Sequence, residues 1–332
     1  MPKGLAYPDR LSLAQLPTPL QPLSFPDVGE HRLWCKRDDL TGCLLSGNKI
    51  RKLEFVLAEA QAQGADTLIT CGGLQSNHCR ATALLAAELG FGCELVLRGD
   101  EPPAADGNLL LSQLAGASIG YHPVRKFQHH LPQLLQDAAD RQRAAGRKPY
   151  VIPTGASDGV GVWGYIAAAE ELAGQFAEHG ITAPLVVCAA GSGGTLAGLA
   201  AGLSLFCPGA QVLGVAVCDD AEYFYRRVHE DLTECRARYP QADLPAPTNF
   251  SLVDDYIGPG YAQAYPEVFE TIASVARNSG VVLDPVYTAK AFYGMLKELQ
   301  LGHIAARDLV FVHTGGVFGV YPERAALSGA AL

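Results

Sequence analysis

Short runs of β-branched and apolar residues alternate along the chain with longer Ala- and Leu-rich amphipathic stretches. The runs predict strands over residues 66–71, 93–97, 185–189, 212–217 and 309–313, and a further strand ending at 151–153. The longer stretches predict helices over 77–89, 160–179 and 195–205. The charged and aromatic stretch 220–241 is not assigned to an element. Strand–helix alternation of this kind predicts an α/β fold with open, twisted parallel sheets and helices on both faces. Residues 47–159 hold one β-α-β-α-β series, and the residues after 160 hold another. Two packed domains are therefore expected: a small one from 47–159, and a large one from 1–46 plus 160–332.

Composition narrows what such a fold does. The 332 residues are 48% hydrophobic and 18% charged, enough apolar matter for more than one compact unit. A net charge of −9 argues against nucleic acid or an acidic membrane surface as partner. The longest apolar runs, such as PLVVCAAG, fall short of the roughly 20 residues that a membrane span needs. The segment MPKGLAYPDRLS lacks the apolar core of a secretory signal, so a cytoplasmic protein is expected. Nine scattered cysteines without a C-x-x-C pair point to core packing, not to disulfides or a metal site.

In an open parallel sheet, ligands bind beyond the carboxyl ends of the strands. Three such ends carry unusual loops: CGGLQSNH (71–78), AAGSGGTLAG (189–198) and HTGG (313–316). In the second, Gly191, Gly193 and Gly194 let successive backbone N–H groups converge, and Thr195 opens a helix whose positive end faces them. No Walker lysine follows, and Leu196 stands where a dinucleotide fingerprint has its third glycine. A small phosphate fits this loop; a turn that only lets helix and strand pack closely is the plainer alternative. Ser76, Asn77 and His78 open a helix, where they serve as caps or as receptors for a carboxylate. Upstream, SGNKIRKLEF offers Lys49 and Lys52. A phosphate loop, a carboxylate receptor and a lysine at one sheet edge suggest pyridoxal 5'-phosphate and a small amino-acid substrate.

SGNKIRKLEF, GGLQSNH, GSGGT, LDPVYTAK and HTGG stand in the order and spacing of the aminocyclopropane-carboxylate deaminase/D-cysteine desulfhydrase family, which the chain resembles from PTPL (17–20) and KRDD (36–39) onward. The resemblance implies a fold-type II pyridoxal-phosphate enzyme, like the β-subunit of tryptophan synthase, with its active site in the cleft between domains and a homodimeric assembly. It makes Lys49 the lysine that bonds the cofactor, and Lys52 a second, non-catalytic lysine with a solvated or salt-bridged role. Gly191, Ser192, Gly193, Gly194 and Thr195 bind the phosphate in this resemblance, and Asn77 the ring's phenolic oxygen. Ser76 lies beside the substrate, whose carboxylate the Ser76–His78 N–H groups receive. Tyr287 and Tyr261 are candidate acid–base groups, although a core aromatic is the commoner fate of a tyrosine.

Thr288 and Thr314 stand where the deaminase branch has an acidic residue and a leucine, so the desulfhydrase branch is favoured. A hydroxyl opposite the pyridine nitrogen makes the ring a weaker electron sink, which suits loss of a good leaving group from Cβ. D-Cysteine giving pyruvate, ammonia and hydrogen sulfide is the expected reaction. Aminocyclopropane-carboxylate deamination, cysteate sulfo-lysis, racemisation or β-replacement, and a non-catalytic regulator are the rivals; Leu196 disfavours a nicotinamide dehydrogenase. Ser46, Asp158, Val317-Phe318 and the AQAYPE stretch depart from the family pattern, several where substrate is expected to touch, adding bulk and an acid.

Overall fold

The computed structural model describes residues 5–331. Its strands are β1 (Leu20–Pro22), β2 (Arg32–Lys36), β3 (Thr67–Gly73), β4 (Gly92–Arg98), β5 (Ser118–His122), β6 (Pro149–Val151), β7 (Leu185–Ala190), β8 (Gln211–Ala216), β9 (Phe250–Val253) and β10 (Asp308–Val312). Its helices are α1 (Asn48–Ala62), α2 (Asn77–Leu89), α3 (Gly107–Leu114), α4 (Val124–Ala144), α5 (Trp163–His179), α6 (Gly194–Phe206), α7 (Ala221–Arg238), α8 (Pro266–Ser279), α9 (Thr288–Gln300) and α10 (Arg324–Ala331). Two sheets result, ordered β1-β2-β10-β7-β8-β9 and β5-β4-β3-β6. Every strand pair is parallel except β1 with β2. The four-stranded sheet draws its strands from residues 67–151, and the six-stranded sheet from both sides of that segment.

Parallel strands carry helices on both faces and so read as continuous apolar runs. LVVCAA in β7 and DLVFV in β10 are buried almost throughout. Helices α5 and α6 cover the larger sheet at close range because α6 keeps one edge bare. A Cβ on Gly198 would come 2.5 Å from Tyr165 Cβ, and one on Gly202 2.5 Å from Ala169 Cβ. Close helix packing therefore falls to Gly198 and Gly202, one turn apart, rather than to the glycines of the loop before the helix.

The first turns of α1 are held by buried charge. Arg51 donates to Asp38 at 2.9 Å and to Glu171 on α5 at 3.0 Å. Tyr165 Oη donates to the same Asp38 at 2.6 Å, and Lys36 reaches Glu171. Burial alone would push the Asp38 carboxyl up, but Arg51 and Lys36 outweigh it and hold it below the ordinary carboxylate range. The KRDD motif thus clamps helix α1 to α5 and works two residues from Lys49.

Candidate active site

The carboxyl ends of both sheets face a cavity of about 870 Å³. Lys49, Ser76, Asn77, His78 and Gly191 line it, together with Ser192, Gly193, Thr195, Tyr261, Tyr287 and Thr314. These residues come from six segments of sequence, and the fold brings them into one space.

Lys49 owes its position to two glycines. Gly47 sits at φ +109°, and a Cβ there would meet Thr314 O at 2.7 Å. Gly315, at φ +89°, would put its Cβ 2.7 Å from Gly47 Cα. Only glycine tolerates both the left-handed backbone and this contact. The start of α1 is thereby pinned to the end of β10, with Asn48 N donating to Thr314 O at 3.0 Å. Asn48 Nδ2 donates to Thr195 Oγ1 at 3.0 Å, tying α1 to α6. Lys49 Nζ has no hydrogen bond or ion pair among the described residues; it lies 3.3 Å from where a Cβ of Gly155 would be, and Ser192 Oγ lies 2.5 Å from that same point. Burial lowers its pKa to about 8. An amine at that value is neutral in a large fraction of molecules near pH 8, as a nucleophile or base must be.

Lys52 differs from its expectation. It is neither solvated nor salt-bridged: it is fully buried, and its amine donates to Ser157 Oγ at 3.0 Å and Gly155 O at 3.2 Å. Burial, then repulsion from Lys49, pushes its pKa well down. Ser157 Oγ also accepts from Gly194 N at 3.2 Å and lies 2.8 Å from Ser192 Oγ. With both lone pairs of Ser157 taken, its proton goes to Ser192, which leaves the Ser192 proton free to point into the cavity. Ser157 carries no motif signal of its own, and sequence reasoning noted it only inside an altered family stretch. Gly194, one of the expected phosphate donors, does not line the cavity, and its N–H is committed to Ser157. Gly193 adopts φ +92° and Gly191 lies against Tyr287, where a Cβ would meet Cε1 at 2.7 Å.

At the end of β3, Ser76 caps α2 by accepting from Cys79 N at 3.2 Å while lining the cavity. The N–H groups of Asn77 and His78 belong to the first helical turn and have no acceptor within the helix. Asn77 Oδ1 accepts from Asn108 at 3.1 Å, which turns the Asn77 amide nitrogen loose as a donor. The His78 ring is buried. Thr70 Oγ1 gives its proton to Ile152 O at 2.9 Å, so it accepts from His78 Nε2 at 2.8 Å. Burial, followed by the two lysines, holds His78 neutral.

Tyr261 and Tyr287 meet at the wall opposite, with their hydroxyl oxygens 2.7 Å apart. Burial raises both above the usual phenol range. Arg98, at the end of β4, lies over the Tyr261 ring, 4.3 Å from its centroid, and lines the same cavity. Its strand position gave no signal in the sequence.

Four further expectations are corrected. Thr288 does not face the cavity: it is fully buried, and its hydroxyl exchanges 2.7 Å hydrogen bonds with Asp284 as the cap of α9. The acid Asp158 does not line the cavity either; it accepts from Val160 N at 3.0 Å and Gly161 N at 2.7 Å. Ser46 donates to Asp39 O, and Phe318 packs on Arg80 at 4.9 Å, both outside the cavity lining. Of the AQAYPE stretch, Gln263 lines the cavity. Among the described residues no group of three or more His, Cys, Asp or Glu could hold a metal ion, and no helix is long and apolar enough to cross a membrane.

The family model described as pyridoxal-phosphate dependent enzyme matches residues 11–315. The chain is 41% identical over 323 residues to the mitochondrial bifunctional D-cysteine desulfhydrase/1-aminocyclopropane-1-carboxylate deaminase of Arabidopsis thaliana, covering 94% of this chain and 79% of that protein. It is 39% identical to the D-cysteine desulfhydrase of Yersinia enterocolitica, covering 96% of this chain and 98% of that one. A crystal structure of an ACC deaminase homologue superposes with a TM-score of 0.88 at 36% identity, over 97% of this chain and 96% of the other.

Proposed function

Because the chain belongs to the pyridoxal-phosphate dependent enzymes, among the D-cysteine desulfhydrases and aminocyclopropane-carboxylate deaminases, we propose that it eliminates the β-substituent of a small amino acid, with D-cysteine giving pyruvate, ammonia and hydrogen sulfide. One observation carries this reading: the Lys49 amine, without a hydrogen-bond partner among the described residues and with its pKa lowered by burial to about 8, lies near Ser192 of the glycine loop in a cavity that also holds a helix N-terminus and two tyrosines.

Pyridoxal 5'-phosphate fits what is there. Its phosphate suits the Gly191–Gly193 backbone, the free Ser192 proton and the first turn of α6; its phenolic oxygen suits the Asn77 amide; its aldehyde suits Lys49. When bound, the cofactor supplies the electron withdrawal that makes the Cα proton acidic. The remaining work falls to side chains. The N–H groups of Asn77 and His78 hold the substrate carboxylate, and the Ser76 hydroxyl lies beside it. Lys49 removes the Cα proton. As the Cβ–S bond breaks, its electron pair goes to sulfur, and Tyr287, kept protonated by burial, supplies the proton. The released enamine then hydrolyses to pyruvate and ammonia.

Thr314 at the cavity wall supports the desulfhydrase branch, whereas Thr288 is engaged with Asp284 and has no part in that choice. A second reading, deamination of aminocyclopropane-carboxylate, has support in the double name of the Arabidopsis relative. The family resemblance also supports a homodimer, which light scattering on the purified protein reads directly. Incubating the cofactor-loaded protein with D-cysteine, L-cysteine and aminocyclopropane-carboxylate tests the function. Pyruvate and sulfide from D-cysteine are expected; 2-oxobutyrate as the dominant keto acid would favour the second reading, and no keto acid from any would contradict both.

A further inference from the structure

We propose that Arg98 is a positioning residue for the elimination, the cationic end of a proton relay Arg98–Tyr261–Tyr287 that serves the departing β-group. The inference rests on the elimination reading above and assigns a role to a residue outside every motif.

The geometry is a line of three contacts. The Arg98 guanidinium lies 4.3 Å from the Tyr261 ring centroid. Tyr261 and Tyr287 share a 2.7 Å hydrogen bond between hydroxyls. Both rings are seated on bare backbone: a Cβ at Gly73 would meet Tyr261 Cε1 at 3.2 Å, and one at Gly191 would meet Tyr287 Cε1 at 2.7 Å. Gly73 and Arg98 are partners in the β3–β4 register, so they face the same side of the sheet, and the missing side chain at 73 makes room for the tyrosine. The loop that carries Tyr261 is fixed from below by Lys290, whose amine donates to Ile257 O at 2.7 Å and Gly260 O at 2.9 Å.

Arg98 makes no ion pair or side-chain hydrogen bond among the described residues, although it is only part-exposed. A cation over an aromatic face is attracted by the ring, and far more so once the ring's oxygen carries charge. When Tyr287 gives its proton to the leaving sulfur, it takes the Tyr261 proton across their bond. The residual phenolate then sits on Tyr261, beside the guanidinium, until water in the cavity returns a proton. Lys49 holds the proton from Cα, so charge balances within the site. The other titratable groups near the pair are Cys79, Cys218 and Asp284, all of which oppose a phenolate, and the cations Lys49 and Lys290. Burial opposes it most; Arg98 favours it.

The test compares Arg98→Met and Arg98→Lys with wild type in the cofactor-loaded enzyme, using cysteine and β-chloroalanine of whichever hand is accepted. Chloride leaves without a proton, so it needs no relay. Arg98→Met is expected to lose about tenfold in kcat with cysteine, the effect of one pKa unit on the acid, and less than about twofold with β-chloroalanine. Arg98→Lys should recover most of the cysteine rate. Tyrosinate absorbance, titrated in wild type and Arg98→Met with no substrate present, should appear at higher pH in the variant. Equal losses on both substrates, unchanged cysteine turnover, or an unmoved tyrosinate titration would each overturn the relay. Wild-type enzyme that turns over neither substrate would overturn the elimination reading and the relay with it.

Discussion

Two lysines three positions apart on α1 have opposite fates, and the difference lies in what each amine touches. Lys49 ends in the cavity with no acceptor among the described residues; Lys52 is used up beneath the glycine loop by Ser157 and Gly155. Because burial has depressed the Lys49 pKa to about 8, its amine is charged below that value and neutral above it. Capture of pyridoxal phosphate by cofactor-free protein should therefore accelerate as pH rises through about 8 and level off beyond; a rate flat across that range would contradict the assignment. Ser157 is the other residue-scale prediction. Ser157→Ala leaves the Lys52 amine with Gly155 O alone and frees Ser192 to turn, so cofactor affinity should fall by about 5- to 150-fold, the equivalent of about 1–3 kcal/mol for a broken buried hydrogen bond. Turnover at saturating cofactor should change little, and equilibrium titration of the cofactor separates the two quantities.

At the scale of elements, much of the fold was legible because parallel strands and their covering helices leave strong periods. The helix over 77–89 and the strands at β3, β4, β7, β8 and β10 stand where the pattern puts them, within a residue or two at their ends. Helix α7 was not legible: its buried stripe is Phe224, Val228, Asp231, Leu232 and Cys235, and the aspartate and the charged flanks mask the period. Helix α4 is broken at His130 (φ −129°, ψ 19°), two residues before Pro132, whose missing N–H and ring interrupt the ladder. The site was legible where it depends on loops with glycine signatures and illegible where it depends on contact across elements, as with Arg98 and Ser157. The clamp on α1 and the contact of α6 with α5 each give an element-scale prediction. Asp38→Ala leaves Arg51 and Tyr165 facing an empty space in a buried network, and should cost about 3–5 kcal/mol in chemical denaturation. Gly202→Ala pushes a methyl into Ala169 on α5 and should cost about 1–3 kcal/mol. Stability unchanged in either variant would contradict the packing described.

Across the whole molecule, two parallel sheets aim their carboxyl ends at one space, and each contributes a different part of the chemistry. The four-stranded sheet brings Ser76, Asn77 and Arg98; the six-stranded one brings the Gly191–Thr195 loop and Thr314; Lys49 enters on α1, pinned to Thr314 and Thr195 at the ends of the six-stranded sheet by Gly47 and Asn48. Neither sheet alone surrounds an amino acid. The central claim is that this convergence selects one amine out of the two on α1. It is tested most directly by reducing the cofactor-loaded protein with borohydride and mapping the modified lysine by peptide mass spectrometry. A pyridoxyl group on Lys49 alone is the expected result; the group on Lys52 or on another lysine, or no stable modification, would contradict the account.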